Sequence, residues 1–193
     1  MALSHEEMKA TIVEAAREVF GRFGYKKTTL DDIAASLYKA KSSIYYYFKS
    51  KEDVFKAVIE NEVLRAKREI QKAVNKESTP EKKLYAHFKT IIRFISETIS
   101  YYKLMQEEML EVMSFADKMK EKHKEDSIQL IAGILREGID TGDFAITDIE
   151  GTAEAIMYAF EGLYHPFFGV DLTVPEKKCD NLMNVILNGI KAR

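Results

Sequence analysis

Apolar residues recur along the chain at three- and four-residue spacing and almost nowhere in strict alternation. That period predicts helices from end to end. Met8, Ile12, Ala15, Ala16, Val19, Phe20 and Phe23 make a first stripe behind a Ser4-x-x-Glu7 cap, and Gly24 stops it. Leu30, Ile33, Ala34 and Leu37 make a second behind Thr29-x-x-Asp32. A polar turn at Tyr38 to Ala40 separates it from a short third helix over 41–48, with Ile44, Tyr47 and Phe48 to one side and Lys41, Ser42, Tyr45 and Tyr46 to another. Ser50-x-x-Asp53 caps a long fourth helix carrying Val54, Phe55, Val58, Ile59, Val63, Ile70 and Val74. Thr79-Pro80 opens a fifth, proline being well placed at a first helical position. The pattern then predicts a sixth over 102–113, a seventh opened by Ser114-x-x-Asp117 and closed by Gly138 and Gly142, an eighth behind Thr147-x-x-Glu150, and a ninth over 175–190. The expected fold is all-α with about nine helices, three in an N-terminal domain over 1–50 and the rest in a helical domain over 51–193.

With 193 residues and 46% apolar content the chain can bury a sizeable core. Cys179 is the single cysteine, so no internal disulfide framework exists and a reducing, cytoplasmic setting is expected. The apolar run over 155–160 is six residues, against about 18 needed to span a bilayer, and predicts no membrane partner. His5, His87, His123 and His165 stand apart, with no cysteine pair and no glycine-rich phosphate loop. Neither catalysis, nor a metal, nor a cofactor is expected from such a set.

Charge changes the picture. Between Arg22 and Lys51 seven cations face two carboxylates, a local net charge of +5 in a chain whose net charge is −2. Three consecutive tyrosines sit inside that basic stretch, and tyrosine hydroxyls beside lysines are apt donors to phosphate oxygens. Lys49 and Lys51 flank the cap of the fourth helix, a natural phosphate seat. Two short helices joined by a tight turn, the second basic and tyrosine-rich, read as a DNA-binding helix-turn-helix.

SSIYYYFKSKEDVF, preceded by TTLDDIAASL and by Phe20-Gly-Arg-Phe-Gly24-Tyr25, resembles the DNA-binding domain of the tetracycline-repressor-like (TetR/AcrR) family of bacterial transcriptional regulators, over about residues 8 to 60. The resemblance implies that Thr29 and Lys51 contact the DNA backbone, that Lys41, Ser42 and Ser43 face the major groove, and that Tyr45 and Tyr46 contact mainly phosphates; Lys39 and Lys49 complete the candidate surface. The chain departs from the family pattern at Tyr38, where glycine is common, and at Lys39, often an apolar plug. A left-handed tyrosine would cost roughly 1 kcal/mol, so the turn is either remodelled or slightly strained, with Lys39 outward.

The C-terminal part is expected to pair and control two such heads. Gly151, Ala155, Ala159 and Gly162 form a small-residue stripe on the eighth helix, and the ninth is apolar on two sides, with Met183 and Leu187 on one of them. These are the candidate homodimer interface. Phe88, Tyr102, Met105, Met109, Met113, Met157, Phe160 and Tyr164 are candidates to line a pocket for an unidentified, partly apolar small-molecule effector. Such a dimer would bind a palindromic double-stranded operator with half-sites about 34–36 Å apart, or a multiple. The expectation is a repressor released when its effector shifts the fourth helix. A small-molecule-binding helical dimer without specific DNA binding is the alternative, and an architectural nucleic-acid binder a third reading.

Overall fold

The computed structural model describes residues 4–101, 109–164 and 176–192, the side chains of 95, 98–101, 109–123, 164 and 176 excepted. Eight helices occupy the described residues: α1 (His5–Phe23), α2 (Leu30–Ser36), α3 (Lys41–Tyr45), α4 (Lys51–Asn75), α5 (Pro80–Tyr101), α6 (Met109–Asp140), α7 (Ile149–Tyr164) and α8 (Glu176–Ile190). The fold is all-α. Two compact units divide the chain, one of residues 1–65 with 100–120, the other of 66–99 with 121–193, so α4 contributes to both.

In the first unit, Ile12, Val13, Ala16, Val19 and Phe20 of α1 meet Leu30, Ile33 and Ala34 of α2, Ile44 of α3, Phe48, and Val54, Phe55, Val58 and Ile59 of α4 in one apolar cluster. Reciprocal capping boxes start α1 at Ser4 and α2 at Thr29. Gly24 ends α1 at φ 82°, a conformation open to glycine and costly for other residues. A buried ion pair ties α1 to α4: Arg17 Nε donates to Glu62, itself almost inaccessible. Breaking one side of such a pair strands a buried charge, which makes it costlier to break than its net contribution suggests.

In the second unit, Ile70, Val74, Leu84, Phe88 and Ile92 pack with Ile128, Ile131, Ala132, Ile134 and Leu135 of α6, Ala153, Ile156 and Phe160 of α7, and Cys179, Met183 and Leu187 of α8. Thr79 caps α5, accepting from the Lys82 N–H, with Pro80 as its first residue as the sequence predicts. Gly138 leaves room for the Phe144 ring, which a Cβ there would meet at 2.0 Å.

Two sequence expectations shift. The Ser114-x-x-Asp117 pattern opens no helix, because α6 runs unbroken through it, and the predicted seventh helix and the end of the sixth are one. A cap-shaped tetrapeptide permits a helix start without requiring one. Asp148 rather than Thr147 caps α7, its Oδ1 accepting from the Gly151 N–H at 2.9 Å. The predicted start of the last helix at Pro175 lies outside the described residues.

The turn after α2 is strained, not remodelled. The Tyr38 N–H donates to Ala35 at 3.0 Å and the Lys39 N–H to Ala34 at 2.9 Å, a Schellman closure that places Tyr38 at φ 54°. The same closure ends α6, where Gly142 takes that position at φ 79°. Tyr38→Gly is expected to stabilise the protein by about 1 kcal/mol, read as a higher urea midpoint; an unchanged or lower midpoint would show that the turn carries no strain.

His87 lies fully buried on α5, edge-on to Phe88 with ring centroids 4.7 Å apart, and neither ring nitrogen has a hydrogen-bond partner among the described residues. Burial pushes its pKa from 6.5 down to about 4. The folded chain therefore refuses a proton that the unfolded chain accepts, and this contribution to stability, complete above about pH 6.5, is lost as pH falls toward about 4. The loss should approach roughly 1.4 kcal/mol per pH unit. In His87→Leu the stability measured by urea unfolding should fall less between pH 7 and pH 4.5 than in the wild type; parallel losses would contradict this account.

Candidate nucleic-acid interface

A five-residue helix has too few internal hydrogen bonds to stand alone. α3 is held by Ile44 and Phe48, both buried in the head cluster, and by bonds from the Tyr47 and Phe48 N–H groups to Ile44, each at 3.0 Å. Its other side is open. Tyr46 is 73% exposed and Tyr45 48%. Ser42 is exposed and Ser43 half-buried, while Lys39 and Lys49 are exposed with no hydrogen-bond or ion-pair partner among the described residues. Six of the nine candidate residues, Lys39, Lys41, Ser42, Tyr45, Tyr46 and Lys49, thus lie open to solvent on or beside α3.

An aromatic cluster underlies the tyrosines. His5, the first residue of α1, lies 4.7 Å from the Tyr47 ring and 5.7 Å, edge-on, from Tyr46, which in turn meets Tyr47 at 4.9 Å. The Lys41 ammonium sits 5.9 Å above the Tyr45 ring and donates to Asp31 Oδ2 at 2.7 Å. The hydrogen bond and charge of Asp31 hold the Lys41 pKa above the ordinary lysine value. No spacing rule points to His5 or Asp31, because their partners are far away in sequence.

The two expected backbone contacts are otherwise engaged. Thr29 donates its hydroxyl to Asp32 at 2.7 Å and accepts from the Asp32 N–H, both within the cap of α2. That hydrogen bond and the one from the Thr29 N–H lower the Asp32 pKa. Lys51, expected at a phosphate, instead donates to the carbonyl oxygens of Tyr25, Thr28 and Lys26 at 2.8, 2.9 and 3.2 Å, and lies 4.5 Å above the Tyr25 ring. Three acceptors use all the donors of an ammonium. Lys51 is a clamp on the loop that leads into α2.

The candidate effector and dimer residues divide. Tyr102 and Met105, with the side chains of Met109, Met113 and Tyr164, lie outside the described residues. Phe88 and Phe160 stack at 3.6 Å and 11°, both buried, which leaves no space for a ligand between them, and Met157 packs against the same core. A cleft of about 220 Å³ opens instead between α5 and α8, lined by Lys89, Ile92, Arg93, Ser96, Glu97, Cys179 and Asp180. Gly151, Ala155, Ala159 and Gly162 are exposed, although the Asp148 carboxylate occupies the space that a Cβ on Gly151 would need. Met183 and Leu187, expected at a subunit interface, are core residues: they face the chain's own interior, and the open side of α8 carries Val185 and Gly189.

Lys49 and Lys51 should respond differently to substitution. Lys49→Ala is expected to lower the slope of log affinity against log salt by about 1 in DNA-binding titrations. Lys51→Met should leave that slope unchanged and destabilise the head by about 1–3 kcal/mol, because three carbonyls lose their donor. A reduced slope for Lys51→Met would return it to the phosphate backbone.

Residues 12–58 match the family of bacterial regulatory proteins, tetR family, and residues 80–182 match the tetracyclin repressor-like C-terminal domain. The chain is 25% identical over 190 residues to the HTH-type transcriptional regulator QacR of Staphylococcus aureus, covering 95% of this chain and 98% of that protein. Over 54 residues, 28% of this chain and 29% of the relative, it is 41% identical to the biofilm operon icaADBC HTH-type negative transcriptional regulator IcaR of Staphylococcus epidermidis. A crystal structure of a transcriptional regulator from Cytophaga hutchinsonii superposes with a TM-score of 0.79 at 26% identity, over 95% of this chain and 98% of that one. A strained turn, a capped α2 and a tyrosine-lined α3 are thus this chain's version of a shared reading head, and the protein belongs to the tetracycline-repressor-like family of DNA-binding transcriptional regulators.

Proposed function

We propose that the protein acts as a homodimeric repressor that engages a palindromic operator through α3 and is released by a small-molecule effector. The observation that carries this reading is the open face of α3, where Tyr45, Tyr46, Ser42, Lys39 and Lys49 stand outward around the buried Ile44. Hydroxyls and ammonium groups on one surface suit phosphate oxygens, and a duplex supplies them at high density. The negative sign of regulation is supported by the 54-residue match to IcaR, whose description is that of a negative transcriptional regulator.

Pairing is supported by the outward faces of α7 and α8. Ala155, Ala159 and Gly162 let a neighbouring helix approach closely, with Tyr158, 52% exposed, beside them and Val185, 70% exposed, on α8. Burying such a face against its own copy is the commonest closed solution for a homo-oligomer. Among the described residues no helix is long and apolar enough to cross a membrane, and a DNA partner supports a cytoplasmic location. The effector would bind among residues 66–193 and be partly apolar. A coupling of about 1–3 kcal/mol between effector and operator would release the DNA 5- to 150-fold.

Ala155→Arg and Val185→Glu should sediment as monomers, keep the helical circular dichroism of the wild type, and lose operator affinity roughly 100-fold or more, because linked half-sites bind far more tightly than one. Tyr46→Ala should remain a dimer and lose about 3- to 10-fold, the contribution of one hydrogen bond. Dimers that persist in both face variants would place the interface elsewhere, and full affinity in Tyr46→Ala would move the contact surface off α3.

A further inference from the structure

The Asp31–Lys41 pair is out of place on a surface built to meet phosphates. Asp31 lies in the first turn of α2 and Lys41 is the first residue of α3, and the pair closes at 2.7 Å with both side chains about half exposed, 58% and 49%. An exposed carboxylate there repels every duplex alike, and an exposed ion pair contributes little to stability. As a structural link the pair therefore brings little, and as a general DNA contact Asp31 is unfavourable.

The pair has the polarity of a base-pair edge. In the major groove a G·C pair presents two acceptors, guanine N7 and O6, beside one donor, the cytosine N4 amino group. Lys41 carries three N–H donors, of which Asp31 takes one. Two remain for N7 and O6, and the carboxylate keeps an oxygen free to accept from N4. An unrestrained lysine is a flexible point charge that serves any phosphate; tied to Asp31, it is held back from the backbone and aimed at acceptors a few ångströms away. An A·T pair offers an amino donor where guanine has O6, and an acceptor, thymine O4, where cytosine has its amine, so it meets the pair with a clash of donors at Lys41 and a clash of acceptors at Asp31.

We propose that Asp31 and Lys41 work as one unit that reads a G·C base pair in each half-site, Lys41 on the guanine and Asp31 on the cytosine. Asp31 is thus a specificity-determining residue, lowering affinity for all DNA while raising discrimination. The inference rests on binding through α3.

The test is competition binding of fluorescent duplexes. The probes are the sequence that the wild-type protein recovers from a random library, the same duplex with each G·C pair of the half-site changed in turn to A·T, and a scrambled duplex of equal length. The wild type should lose about tenfold or more at one G·C position. Asp31→Asn should bind the scrambled duplex more tightly than the wild type and lose most of the discrimination at that position alone, with an unchanged melting temperature. In a Lys41→Ala background, Asp31→Asn should no longer alter discrimination. A merely structural link would lower affinity for all duplexes together and reduce the melting temperature, which would overturn the inference. So would unchanged discrimination in Asp31→Asn. Recovery of no sequence by the wild type would overturn it together with operator binding itself, whereas a recovered site with no G·C position sensitive to Asp31 overturns the inference alone.

Discussion

A recognition helix of five residues depends on what lies behind it. Nucleating a helix fixes several residues before the first hydrogen bond is gained, so α3 persists because Ile44 and Phe48 are buried against α1, α2 and α4. The rest of the head follows from that requirement. α1 supplies the wall, α2 the brace, and α4 a floor joined to the wall by the buried Arg17–Glu62 pair. Lys51 closes the arrangement from the side, drawing the carbonyls of residues 25, 26 and 28 onto one ammonium and so fixing the chain as it enters α2. A cation expected to touch DNA has its three donors engaged within the head.

The surface that results has two kinds of group. Tyr45, Tyr46, Lys39 and Lys49 are outward and unspecific in character, suited to a phosphate backbone and sensitive to salt. Asp31 and Lys41 are paired and directional, suited to base edges. Strain at Tyr38 lies between them, in the turn that sets α3 against α2. On the proposed reading, affinity and discrimination would rest on neighbouring but separable residues, as expected where phosphate contacts position a protein and base contacts specify its site.

Local patterns were legible in the sequence wherever their partners lie within a turn. The capping boxes at Ser4 and Thr29 and the cap at Ser50 follow from residues three apart, and Pro80 at the start of α5 from the fixed φ of proline, whereas Tyr38 stood out only against the glycine common in the family and left strain or remodelling open. Patterns without a local competitor misled: Ser114-x-x-Asp117 has the shape of a cap, yet the flanking sequence is helical on both sides and α6 continues through it. Long-range partners were invisible. The carbonyls that bind Lys51 lie 23 to 26 residues away, Asp31 is 10 residues from Lys41, and Arg17 is 45 from Glu62. α8 shows a third limit, since a helix apolar on two sides does not say which side faces inward. The structure puts Met183 and Leu187 there and leaves Val185 to the outside. The stacked Phe88 and Phe160 show the same for aromatic residues, which fill a core or line a pocket with equal ease.

The central claim is that two copies of this head read symmetric DNA through α3. Selection of bound duplexes from a random library, repeated at two salt concentrations, tests it most directly. The account predicts enrichment of a palindrome whose half-sites lie about one helical turn apart, or a multiple, with binding that falls steeply as salt rises. Enrichment of no sequence at either salt, or of a single asymmetric site, would contradict it.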